Sequence, residues 1–80
     1  MATQLDKLVT HIAQCLVDQP KDVLVSTVNS NHTMVLELRV AKADIGKIIG
    51  RQGRTVHALR TLIAAVSSKI KKRTFLEIIE

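Results

Sequence analysis

The chain has 80 residues, 46% of them apolar and 24% charged, with a formal net charge of +5. That length excludes a multi-domain enzyme and that apolar content excludes disorder, so a single small folded domain over 1–80 is expected. The charge is segregated, with +9 on residues 39–73 and −4 on the remainder, which suits contact with a polyanion such as nucleic acid and suits equally well a solvated face that aids solubility.

Leu5, Leu8, Val9, Ile12 and Leu16 recur at steps of three and four, which predicts an amphipathic helix over 3–18, capped by Thr3. Asp18, Gln19 and Pro20 end it, because proline lacks an amide and holds its predecessor extended. His11 and Cys15 fall on this helix with no second ligand at a usable spacing and are read as structural. Cys15 is the only cysteine, so no internal disulfide can form. With no membrane-length apolar run and no signal-like N-terminus, a reducing, cytoplasmic compartment is expected.

Residues 23–28 and 33–40 alternate apolar and polar positions, the period of strands. Asn29, Ser30, Asn31 and His32 lie between them, and asparagine tolerates the positive φ of tight turns, so an antiparallel hairpin is expected. Residues 41–49 read as a short helix, with Asp44 early enough to favour the positive end of its dipole. Gly50 ends it. A longer helix is predicted over 54–70, with Val56, Leu59, Ile63, Val66 and Ile70 on one face and Lys69, Lys71, Lys72 and Arg73 at its close. Residues 74–79 supply a last strand. Phe75 within it is the sole aromatic residue, so the core must be aliphatic, and stacking platforms for bases are absent from this expectation.

Between the two C-terminal helices lies Gly46-Lys47-Ile48-Ile49-Gly50-Arg51-Gln52-Gly53-Arg54, a G-x-x-G loop. Glycine at both ends permits a tight turn and close approach of another backbone. The second glycine opens onto a helix N-terminus, where amides and dipole favour phosphate. Arg51 and Arg54 add charge, Lys47 adds more at the rim, and Ile45, Ile48 and Ile49 suggest an apolar groove alongside. G-x-x-x-x-G-K-[ST] and G-x-G-x-x-G are absent, and the three histidines and the cysteine lack zinc-site spacing. Neither nucleotide hydrolysis, a metal, a cofactor nor any other enzymatic role is expected, and His57 is read as an exposed neutral histidine.

Ile-Ile-Gly-Arg-Gln-Gly-Arg-Thr (48–55), preceded by Val-Ala-Lys-Ala-Asp-Ile-Gly-Lys (40–47) and followed by Ala-Leu-Arg-Thr (58–61), resembles the small bacterial KH proteins of the KhpA family. The likeness runs nearly end to end. It implies an α+β, type II KH domain in the order α-β-β-α-α-β, with a three-stranded mixed sheet covered on one face by three helices. It also implies single-stranded RNA as ligand, gripped at the backbone by Gly50, Arg51, Gln52 and Gly53 with Lys47 and Arg54, and with bases across Ile45, Ile48, Ile49 and the neighbouring strand. An RNA chaperone or post-transcriptional regulator, with a part in cell-shape regulation, is the role implied. A ribosome-maturation factor, or a protein adaptor docking through the long helix, remains open beside it. Family likeness further implies a homodimer and a complex with a larger KhpB-type KH protein. Ala58, Leu62 and Ala65, beside the core stripe of the long helix, are the candidate dimer contact.

Overall fold

The computed structural model describes residues 2–79, with side chains from Gln4 onward. Helix α1 covers Ala2–Leu16. The expected Thr3 cap lies outside the described side chains. The helix buries Leu5, Val9 and Ala13, while Leu8 and Leu16 stay partly exposed, so the core stripe is turned from the leucine-rich one toward Ala13, whose small side chain permits close packing on the sheet. His11 and Cys15 are both exposed and take no part in the core. A 3-10 turn at Pro20–Asp22 then leads into β1, Leu24–Asn29.

Strand β1 pairs antiparallel with β2, Thr33–Arg39, and β2 pairs parallel with β3, Arg73–Ile79. The order β1-β2-β3 is the mixed sheet that the sequence predicts. The hairpin is closed by the Ser30 amide donating to the Thr33 carbonyl at 2.9 Å. Contrary to expectation, no asparagine in this turn is left-handed: among the described non-glycine residues only Gln52 and Lys71 have positive φ.

Period-two alternation gives the sheet two different faces. Met34, Leu36 and Leu38 of β2 are fully buried, flanked in register by Val25 and Thr27 of β1 and by Thr74, Leu76 and Ile78 of β3. The helices cover this face, and the described residues form one contiguous apolar core there. Thr27 leaves the one buried side-chain oxygen without a partner among the described residues. The opposite face is open.

The segment expected as one helix over 41–49 is a 3-10 turn at Lys42–Asp44 followed by α2, Ile45–Ile49. Helix α3 runs Arg54–Ile70 as predicted, burying Val56, Leu59 and Ile63. Lys71 closes it in the left-handed conformation, its amide bonded to the Ser67 carbonyl. Side chains then bind this corner: the Ser67 hydroxyl donates to the Lys72 carbonyl, and the Lys72 ammonium donates to the Asn29 side-chain oxygen. Three helices on one face of a three-stranded mixed sheet, in the order α-β-β-α-α-β, make the type II KH architecture.

Candidate nucleic-acid interface

The loop between α2 and α3 is built by its glycines, and the two glycines have different reasons to be there. Gly50 has φ 78° and ψ 171°, a region that side chains essentially do not enter. A Cβ there would overlap the Thr55 side chain and come within 2.9 Å of its backbone nitrogen. Gly50 is thus demanded by the fold itself. Gly53 has φ 73° and ψ 14°, but nothing lies within 4 Å of where its Cβ would stand, so it needs glycine for conformation and leaves open space above the backbone. Between them Gln52 adopts φ 59°, the left-handed region that a residue with a Cβ enters at a cost.

The backbone donors divide accordingly. The Gly50 amide donates to the Gly46 carbonyl at 2.9 Å and the Gly53 amide to the Gly50 carbonyl at 3.1 Å, and the Arg54 amide is bonded to the Arg51 carbonyl. The Gly53 and Arg54 amides are therefore spent inside the turn. Among the described residues the Arg51 and Gln52 amides meet no backbone acceptor. The side chains of Arg51, Gln52 and Arg54 are exposed, so the loop presents two guanidinium groups and one amide side chain to solvent, beside two N–H groups that no backbone acceptor takes up.

Lys47, expected to add free charge at the rim, is engaged otherwise. Its ammonium lies 3.2 Å from the Asp18 carboxylate and 3.6 Å from that of Asp44. Hydrogen bonding to Asp18, then the Asp18 charge, with a smaller contribution from Asp44, holds its pKa above the ordinary value. Asp44 stands at the N-cap of α2, beside the positive end of its dipole as expected, and also has a second role. Its side chain makes no cap bond; it is 2% exposed and accepts the Gln19 amide at 3.0 Å. The connector after α1 is thereby tied to the start of α2, because a buried carboxylate needs donors around it.

Of the three isoleucines expected to face bases, Ile48 is fully buried in the core, which corrects its assignment as a contact residue. Helix α2 spans little more than one turn, and the side that holds it to the core is Ile48. Ile45 is half-buried and Ile49 exposed, so these two are the ones that solvent or a ligand can reach. Ala58, Leu62 and Ala65 all lie exposed on α3, with Leu62 at 52%. Beside this side of the helix, Gln4, Leu5 and Leu8 of α1 and Val66, Lys69 and Ile70 of α3 line a cavity of about 240 Å³.

Arg60 is a residue that motif reading missed. It projects from α3 to the edge of β3, where its guanidinium donates to the Leu76 carbonyl at 3.3 Å, and with Ile63, Thr74, Phe75 and Leu76 it lines a groove of about 380 Å³. Its position two turns into α3, on the side away from Leu62, was available from helical periodicity; its strand partner was not. Among the described residues no cluster of three or more histidine, cysteine or carboxylate side chains could hold a metal ion, and no helix is long and apolar enough to cross a membrane.

Residues 6–78 match the family model described as KhpA/KhpB, KH domain. The RNA-binding protein KhpA of Chlamydia pneumoniae is 46% identical over 76 residues, covering 95% of this chain and 97% of its own length. That of Halalkalibacterium halodurans is 49% identical over 73 residues, 91% of this chain and 96% of its own. The Listeria monocytogenes protein of the same name is 42% identical over 76 residues, 95% of this chain and all of its own length. No solved structure matches the chain.

Proposed function

The chain belongs to the KhpA/KhpB KH-domain family, and from that premise we propose that it binds single-stranded RNA through the Gly50–Gly53 loop. The observation that carries this is the loop's free chemistry: exposed Arg51 and Arg54, the unspent Arg51 and Gln52 amides, and bare backbone at Gly53. Phosphates sit against those donors. Bases extend over Ile45 and Ile49, where edges rather than stacked rings carry what selectivity there is. An RNA chaperone or post-transcriptional regulator is the role that such a weakly selective grip serves.

Arg51→Asp with Gln52→Asp tests the site. Both side chains are exposed, so the fold should survive, while two carboxylates facing phosphate should remove binding to a short single-stranded RNA in fluorescence anisotropy. Unchanged affinity, with circular dichroism showing the parent fold, would place the site elsewhere.

A domain that engages about four nucleotides binds weakly, and two loops in one particle raise avidity. We therefore also read Ala58, Leu62 and Ala65 as a helix-to-helix contact, used for a homodimer or for a larger KH-containing partner of the KhpB type. The exposed Leu62 beside the α1–α3 cavity favours it. Leu62→Asp should yield a folded chain of lower mass in sedimentation equilibrium, and an unchanged assembly would move the contact off this patch.

A further inference from the structure

The open face of the sheet is unused by the RNA site and by the α3 patch, and its composition is unlike that of an ordinary solvated sheet. In register, Val28, Val35 and Phe75 form an apolar row across all three strands. One step toward the start of β3 lies the pair Thr33 and Arg73, and one step the other way lie Ser26, Glu37 and Glu77. Val28 is 56% exposed and Phe75, the chain's one aromatic residue, is 50% exposed. Glu37 and Glu77 stand directly opposite on neighbouring strands, a like-charge pairing that destabilises an isolated sheet. Neither is relieved within the chain: among the described residues the ion pairs within 4.0 Å are both made by Lys47.

We propose that this face is a second self-association surface, on which another copy of the chain docks sheet to sheet. The occupant follows from the order of the rows. A two-fold axis along the Val28–Val35–Phe75 row lays that row on its own copy, Phe75 against the partner's Phe75. The same rotation brings the row on one side of it over the row on the other side. Glu77 then faces the partner's Arg73, and Arg73 faces the partner's Glu77, so each contact occurs twice, as an isologous interface requires. The arrangement buries the only exposed aromatic ring and sets a guanidinium opposite Glu77, whereas Arg39, one step beyond Glu37 on the same face, makes no ion pair within 4.0 Å with either glutamate. Aligned sheets accommodate their twist in such packing at about 30°. From strand spacing and rise, the face offers on the order of 400 Å² per copy, the small end of specific interfaces, so the dimer is weak and concentration-dependent.

This surface stands apart from the RNA reading and from Leu62, and its test is arranged to keep them apart. Sedimentation equilibrium without RNA is run on the full chain carrying Leu62→Asp, at concentrations up to about 1 mM. Self-association should remain, and Glu77→Arg or Arg73→Glu should each weaken it by about tenfold or more, since either change sets like charges together twice per dimer. The double variant should return to the parent value. An equal mixture of the two single variants should also associate like the parent, because both of its charge contacts are then opposite in sign, a result that no effect within one chain can produce. Both side chains lie on the exposed face, so folding is checked by thermal melts rather than expected to fail. A monomer at every concentration, single variants that associate unchanged, or a mixture no better than its components would overturn the proposal, as would Phe75 protected from solvent by RNA but not by raised chain concentration.

Discussion

Lys47 and Arg51 sit four residues apart on either side of Gly50 and carry the same formal charge into different surroundings. Lys47 projects from α2 toward the connector after α1, where Asp18 and the buried Asp44 hold its ammonium. Arg51 projects from the loop into solvent and makes no ion pair within 4.0 Å among the described residues. One cation organises the scaffold and the other is available to a ligand. The difference teaches that a charge count along a segment overstates the charge presented by its surface: residues 39–73 carry +9 in sequence, but part of that is neutralised from outside the segment, by Asp18. Whether a basic residue serves binding is decided by what its head group meets, and the loop is where nothing meets it.

The contrast depends on the loop keeping its shape, so the largest expected effect comes from its first glycine. Gly50→Ala combines a conformation closed to side chains with overlap on Thr55 and should cost roughly 3 kcal/mol or more. Gly53→Ala suffers only the left-handed strain, with open space above it, and should cost about 1 kcal/mol. In thermal melts of a domain this size 1 kcal/mol corresponds to roughly 4–8 °C, so the two variants should be well separated. Adding Thr55→Ala to Gly50→Ala should recover part of the loss. Equal melting points for the two glycine variants would mean that the Thr55 contact is not what fixes the loop.

Next in size is the direct comparison of the two cations. Arg51→Ala should weaken RNA binding and reduce the slope of log affinity against log salt by about 0.7, the share of one phosphate contact on a single strand. Lys47→Ala should leave that slope near the parent value, because its charge is already balanced. Anisotropy titrations with one RNA at several salt concentrations decide it. Equal slope changes for both variants would show that phosphate displaces Asp18 from Lys47.

The order of elements, the bounds of α3 and the place of the loop were legible because each rests on local signals: a long apolar periodicity, a proline, glycines at a fixed spacing. What escaped depends on contacts distant in sequence. Asp44 reads as a favourable acid at a helix start, and its burial and its bond from the Gln19 amide cannot be read beside that. Ile45, Ile48 and Ile49 cannot be sorted by periodicity on a helix as short as α2, and only packing shows that Ile48 belongs to the core. The dependence of Gly50 on Thr55 was hidden in a different way. Any G-x-x-G pattern suggests room for a ligand, yet here only the second glycine opens onto free space. The aliphatic core was legible from composition, but the face on which the sole aromatic residue stands was not: strand register puts Phe75 on the open side of the sheet, half exposed.

A smaller effect should come from releasing Lys47 rather than removing it. Asp18 is highly exposed, at 76% of its side chain, so its pair with Lys47 is screened and worth little to stability. Asp18→Asn should therefore leave the melting point nearly unchanged. It also removes a negative charge near the loop and frees the ammonium, so affinity for single-stranded RNA should rise by about two- to threefold at low salt and the salt slope should steepen. An affinity that falls would mean that Asp18 is needed to position the connector for binding.

The smallest effect is the titration of Lys47 itself, and its sign is fixed. Hydrogen bonding to Asp18, then the charges of Asp18 and Asp44, raise the pKa in the folded chain above the ordinary value of 10.5. A lysine whose folded pKa is raised contributes stability that is fully present below its unfolded pKa and is lost as pH rises through the folded one. The difference in unfolding free energy between the parent and Lys47→Met should thus be constant from neutral pH to about 10 and shrink at higher pH. Asp18→Asn should show a weaker version of the same shrinkage, because Asp44 remains. The ammonium is exposed, so denaturant titrations must be run on both chains in parallel at each pH. A difference that stays flat well above pH 10.5, or that grows, would show that Lys47 does not hold the acids in solution, and the two cations flanking Gly50 would then be equivalent.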